Sequence, residues 1–201
     1  SASKGSAEIA FKSYYKSFFS ENINSDIRIS SARAGNVIGG GDYSKNRIVP
    51  DYLNAKNFNK KLLLRNPKHI RPWQYVLEPV YGYTLLAKKK FFSNKKQSFD
   101  SWNFAPNSKD SISVYDLVSL FQKSKSNKKK IGILIKKSRQ VEKETSILKL
   151  NASKSKKILN WRIKFSLQET IDKILIWNEM TKSETVFKVS LKFVKDYINK
   201  I

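Results

Sequence analysis

Apolar residues recur at helical spacing from Ala2 to Phe19, through Ala7, Ile9, Ala10, Phe11, Tyr14, Tyr15, Phe18 and Phe19, which predicts a helix with one broad greasy face. A polar turn at Asn22–Asp26 follows, and Ile27–Arg33 then alternates as a strand does. Ala34–Asp42 contains Gly35, Gly39, Gly40 and Gly41 and reads as a loop at that strand's C-terminal end, the place where open α/β sheets bind ligands.

Downstream, the elements are shorter. Ile48–Phe58 predicts a helix with Pro50 in its first turn, where a missing N–H costs little. Leu62–Leu64 and Trp73–Val76 read as brief strands, and Glu78-Pro79 opens a helix through Val80, Tyr83, Leu86 and Ala87. Ser101–Phe104 is a strand ending at Pro106-Asn107, and Ser113 caps a helix through Leu120. Lys123–Lys130 is a basic connection before a strand at Ile131–Ile135. The last three helices are Ser153–Leu159, Ser166–Met180 with Ser166 and Glu169 as a capping box, and the amphipathic Val186–Ile198. The pattern is mixed α/β, without the βαβ units that open a doubly wound domain.

Composition narrows the chemistry. With 40% hydrophobic and 12% aromatic residues, the 201-residue chain can bury a core, which sets it apart from disordered polybasic chains. It has no Cys and one His, His69, so disulfides and thiolate metal sites are excluded and His-based metal centres or Ser-His-Asp triads disfavoured. No apolar run approaches the roughly 18–20 residues that span a bilayer, and a soluble, cytoplasmic protein is expected.

The net charge of +24 ordinarily points to nucleic acid. Here 33 of the basic residues are Lys and 7 are Arg, spread along the chain, with the densest runs at Lys88–Lys90, Lys95–Lys96 and Lys128–Lys130. That distribution favours a solvated basic surface over a nucleic-acid face. Against this Lys background, Arg47, Arg65, Arg71 and Arg139 stand out, because a guanidinium forks onto a diphosphate as an ammonium cannot. Arg71, set between Ile70 and Pro72-Trp73, is the strongest candidate. The glycine run lacks both G-x-G-x-x-G spacing and a Gly-Lys-Ser/Thr ending, so its spacing alone does not make a phosphate cradle.

Several segments carry a resemblance in order along the chain: Ser1–Glu8, Ala32–Asp42, Arg47–Asp51, Arg65–Pro67, Arg71–Pro79, Trp102–Pro106 and Leu148–Asn151. Together they resemble the extended short-chain dehydrogenase/reductase family, and within it the nucleotide-sugar 4,6-dehydratases that act on CDP-glucose. The Gly-Gly-Gly-Asp and Arg-Pro-Trp-Gln segments are the most specific.

The resemblance implies a fold and a chemistry. The chain would be the C-terminal part of an extended Rossmann-type dehydrogenase, with a small mixed α/β substrate-binding subdomain and without the N-terminal Rossmann units. Residues 1–45 would hold the last helix and strand of the NAD-binding domain with the active-site loop. Residues 46–201 would form mainly the substrate-binding region and the C-terminal helices, with a return strand near 101–104. Lys4 would be the lysine of the family's Tyr-x-x-x-Lys motif, whose Tyr would precede Ser1. It would bind the nicotinamide ribose and lower the phenol pKa.

In that family, NAD takes a hydride from sugar C4, water leaves across C5 and C6, and the hydride returns to C6, giving a 4-keto-6-deoxy sugar nucleotide. By the same resemblance Arg33 and Ala34 would lie at the cofactor and Asn36 at the substrate diphosphate. Arg71 would clamp the diphosphate with Arg47 assisting, Leu64 and Arg65 would meet the nucleotide base, and Arg139 would be a further phosphate contact. The chain departs from the pattern with Tyr75 where His is common and Asn151 where Asp is usual; the second puts packing near Lys154 in doubt. On this reading the chain is inactive alone, its partners are a CDP-sugar and, in the full-length enzyme, a second copy, and nucleic acid and membrane are not expected. An NDP-sugar epimerase, a basic nucleic-acid-binding domain and one subunit of a split enzyme remain as alternatives.

Overall fold

The computed structural model describes residues 2–20, 27–93, 99–136 and 145–201. The turn at 22–26, the Lys95–Lys96 pair and Arg139 lie outside the described residues.

Helix α1 (Ala2–Phe18) leads into β1 (Ser30–Ala34) and β2 (Asn36–Ile38). Then come α2 (Ile48–Asn57), β3 (Leu62–Leu64), β4 (Ile70–Tyr75), α3 (Leu77–Phe91) and β5 (Asp100–Phe104). A single 3₁₀ turn at Ser108–Asp110 precedes β6 (Ser111–Ser113) and α4 (Val114–Lys123). Strand β7 (Ile133–Ile135) and helices α5 (Ser153–Ile158), α6 (Leu167–Met180) and α7 (Val186–Ile198) complete the order. The caps are those the sequence calls for: Ser113 Oγ accepts from Asp116 N, and Ser166 and Glu169 form the reciprocal capping box.

The strands form short parallel pairs. β1 lies beside β5, β2 beside β4, and β3 beside β7, while β6 runs antiparallel to the outer side of β4. Phe104 O joins two of these pairs, accepting from Gly35 N (3.0 Å) and from the buried Gln74 side chain (2.9 Å). The main core gathers Tyr52, Leu62, Leu64, Trp73, Leu117, Phe121, Ile171 and Leu175 from α2, β3, β4, α4 and α6. A second core packs Leu86, Trp102, Phe104 and Trp161 beneath β5.

Two expectations change. The Ala34–Asp42 segment is not loop throughout: Asn36–Ile38 pairs with Trp73–Tyr75, and the turn proper begins at Gly39. Its glycines serve close packing, since a Cβ on Gly40 would sit 2.2 Å from the Trp177 ring, and Gly41 turns the chain at φ +83°. The strand expected over Ile27–Arg33 is shifted to Ser30–Ala34, where Ser30 Oγ (2.5 Å) and Lys90 (2.9 Å) both bond the Asp100 carboxylate.

Asn151 does not leave Lys154 unsupported. Its Oδ1 accepts from Ser153 N at 2.8 Å, while Lys154 reaches Asp100 (3.3 Å) and lies 4.0 Å from the centre of the Trp102 ring.

Candidate active site

The carboxyl end of β1, the edge of β2, the start of α2, the end of β3 and the start of β4 converge on a cleft of about 620 Å³. Lys4, Ala34, Gly35, Asn36, Arg47, Leu64, Arg65, His69, Arg71 and Trp73 all line it. Candidates spread over 68 positions of the chain are therefore brought to one opening. Ala34 ends β1 and Asn36 begins β2, with only Gly35 between them, so the bend between the two strands delivers both to the same place.

Each basic side chain reaches the cleft differently. Arg47 stands at the N-cap of α2 and pairs with Asp42 at 3.3 Å, largely exposed. Partial burial works to raise the Asp42 carboxyl, but hydrogen bonds from Ser44 and the Arg47 charge outweigh it and hold Asp42 below the usual carboxylate range. Arg65 follows β3 and donates to Asn46 O at 3.0 Å; Asn46 itself adopts the left-handed φ of 65°, which Asn tolerates better than most residues. Leu64 is buried with the main core at 1% exposure, because the alternation of β3 turns Leu62 and Leu64 inward and Leu63 outward.

Arg71 is the most enclosed cation of the site. Only 8% of it is exposed, and Nη1 donates to Ile70 O (2.9 Å) and Ser146 O (3.2 Å). Nη2 lies 3.2 Å from His69 Nδ1. Gly35 packs under the same strand: a Cβ there would stand 2.6 Å from Pro72 O, so the approach of the β1–β2 bend to β4 requires glycine.

Arg33, expected at the cofactor, is not among the residues that line the cleft. Its guanidinium grips Glu8 of α1 through Nε and Nη2, both at 2.9 Å, and Nη1 reaches Asn103 at 3.3 Å. The cause is strand geometry, since consecutive residues face opposite sides and Ala34 faces the cleft. Arg33 therefore fastens α1 to β1, and its bonds lead the interactions that hold the Glu8 carboxyl below its ordinary range.

His69 also lines the cleft, although the sequence reading gave it no role in the site. The signal was present: it stands two residues before Arg71, the spacing that puts both on one side of an extended segment. Among the described residues no group of three or more His, Cys, Asp or Glu is placed to hold a metal ion.

No family model matches the chain. Over 206 aligned residues it is 34% identical to CDP-glucose 4,6-dehydratase of Salmonella typhimurium, an alignment covering 99% of this chain and 55% of that protein. Among solved structures, UDP-glucuronic acid 4-epimerase from Bacillus cereus, complexed with NAD and UDP-4-deoxy-4-fluoro-glucuronic acid, superposes with a TM-score of 0.70 at 18% identity. That match covers 90% of this chain and 52% of the epimerase. The chain therefore shares the fold of about half of that epimerase. The dTDP-glucose 4,6-dehydratase of Bacillus anthracis, in complex with NAD, gives 0.66 at 18% identity, with coverage of 90% and 52%. The chain thus spans about half the length of the relatives it matches.

Proposed function

We propose that the chain is the substrate-binding half of a nucleotide-sugar 4,6-dehydratase acting on CDP-glucose. The single observation that carries this reading is the convergence of Lys4, Asn36, Arg47, Arg65 and Arg71 on one cleft beside the β1–β2 bend. The 34% identity to a CDP-glucose 4,6-dehydratase over 99% of the chain favours the dehydratase over an epimerase.

In this reading Arg71 clamps the diphosphate and Arg47 closes on it from the rim, exchanging its exposed pairing with Asp42 for phosphate oxygens. Asn36 hydrogen-bonds the same diphosphate, and Leu64 and Arg65 meet the nucleotide base. NAD supplies the hydride acceptor and donor when bound. The donor set suits its nicotinamide end, because Lys4 and the Ala34–Asn36 segment both line the cleft. Lys4 would hold the ribose and, by its charge, lower the pKa of a phenol one helical turn before it.

The division at residue 45 follows: 1–45 belongs with the NAD-binding domain and 46–201 mainly with the substrate region. Ile9, Tyr14 and Phe18 on α1 are exposed, which supports cover by the rest of a Rossmann core or by a second copy.

The test is turnover by the complete gene product. It should convert CDP-glucose to the 4-keto-6-deoxy sugar nucleotide with NAD, and Lys4→Ala should reduce kcat by at least about 100-fold. Folded wild-type protein that leaves CDP-glucose unchanged contradicts the reading.

A further inference from the structure

We infer that helix α7 docks the protein on an anionic membrane surface, through one exposed apolar stripe and the Lys ribbon beside it. The helix carries two apolar arcs. Val189, Phe193 and Tyr197, four residues apart, are buried: the first two pack with Trp177 of α6, and Tyr197 packs with Tyr75 and Phe165. At 3.6 residues per turn, Phe187, Leu191, Val194 and Ile198 fall within about 60° of one another on a different arc. All four are exposed, Phe187 to 78%. The core accounts for the first set and leaves the second in water. None of these residues lines the cleft.

Charge decides what fits this face. Lys188, Lys192 and Lys195 occupy the arc next to the stripe, again about 60° wide, and all three are exposed. The acidic side chains nearby are already paired, Glu184 with Lys188 at 3.0 Å and Asp196 with Lys173 of α6. The two arcs adjoin, so the helix lying flat presents both to one surface: the apolar side chains enter the boundary between headgroups and acyl chains, and the ammonium groups reach the lipid phosphates. Contact between the α7 helices of two copies would set Lys against Lys, whereas an anionic bilayer satisfies stripe and ribbon together. The net charge of +24 adds long-range attraction to such a surface. Among the described residues no helix is long and apolar enough to cross a membrane, so the contact is peripheral.

Co-sedimentation of the complete gene product with lipid vesicles tests this. It should bind vesicles of phosphatidylglycerol and stay in solution with vesicles of phosphatidylcholine. The double substitution Phe187→Ser, Leu191→Ser keeps the charge, alters no buried side chain and should weaken phosphatidylglycerol binding at least about tenfold. Lys192→Gln with Lys195→Gln should also weaken it at least about tenfold, since each Lys close to an anionic surface contributes about fivefold. Lys128→Gln with Lys129→Gln removes the same charge from an exposed segment between α4 and β7 and should change binding by less than about twofold. Melting at the wild-type temperature checks that each variant is folded. Wild-type protein that leaves phosphatidylglycerol vesicles unbound would overturn the inference and leave the stripe to a protein partner or to the rest of the complete gene product. Unchanged binding in the Phe187, Leu191 variant, or an equal loss from the Lys128, Lys129 pair, would overturn it by reducing the contact to net charge alone.

Discussion

Glu78 shows how much of the molecule hangs on one side chain. It is fully buried at the start of α3, and its carboxylate accepts from Lys164 N and Phe165 N (both 2.9 Å) and from Tyr197 Oη (2.7 Å), while its carbonyl accepts from Trp161 Nε1. Burial is the main influence and raises the Glu78 carboxyl above its ordinary range, with those three donors opposing it. Glu78→Leu would strand three donors in the interior and should cost about 3–5 kcal/mol, read as a lower urea midpoint at unchanged slope. Tyr197→Phe removes one donor and should cost about 1–2 kcal/mol. The sequence pointed to Glu78 only as a helix opener. Its partners lie more than 80 residues away, and no local pattern encodes such a junction. The site's Arg residues were legible for the opposite reason: in a Lys-rich chain an Arg stands out by type alone.

At the scale of elements, helices were legible and their partners were not. The capping box at Ser166 and Glu169 and the Ser113 cap are local devices, read from four consecutive residues. The three-residue strands β2 and β6 were missed because Asn36–Ile38 lies among glycines and Ser111–Ser113 is mostly polar, whereas the equally short β3 and β7 are continuous apolar runs. The glycine turn illustrates the difference: Gly40 is required by Trp177, a residue 137 positions on. Gly40→Ala should cost about 1–3 kcal/mol by overpacking, with the melting temperature as readout.

The β1–β5 pair has a pH signature. Partial burial works to raise the Asp100 carboxyl, but hydrogen bonds from Ser30 and Lys90 outweigh it and hold it at about 2. A carboxyl lowered in the folded state adds stability that is complete above its unfolded pKa near 4 and is lost as pH falls towards 2. Asp100→Asn should therefore lower stability at pH 7 and flatten the decline between pH 4 and pH 2, followed by urea midpoints at each pH.

For the whole molecule, the charge of +24 and the length of 201 residues first suggest a complete basic domain with a nucleic-acid partner. The fold and the cleft give the cations a different distribution of roles. Most of the described Lys form a solvated shell, exemplified by Lys88 and Lys89 in the last turn of α3, where cations also complement the helix dipole, while Lys90 turns in to bond Asp100. The few Arg are placed individually: Arg33 on α1, and Arg47, Arg65 and Arg71 at the cleft. Fold class was legible because the motif order spans the chain. Which Arg faces the cleft and which braces a helix was not, because that depends on strand alternation at a boundary the sequence leaves ambiguous by several residues.

The central claim is that this cleft holds a nucleotide-sugar diphosphate through Arg71, and equilibrium binding of CDP-glucose to the folded chain tests it most directly. One site per chain is expected, with affinity that falls at least about tenfold in Arg71→Lys, because an ammonium cannot replace the fork. No saturable CDP-glucose binding, together with tight binding to duplex DNA that collapses steeply as salt rises, would contradict the account.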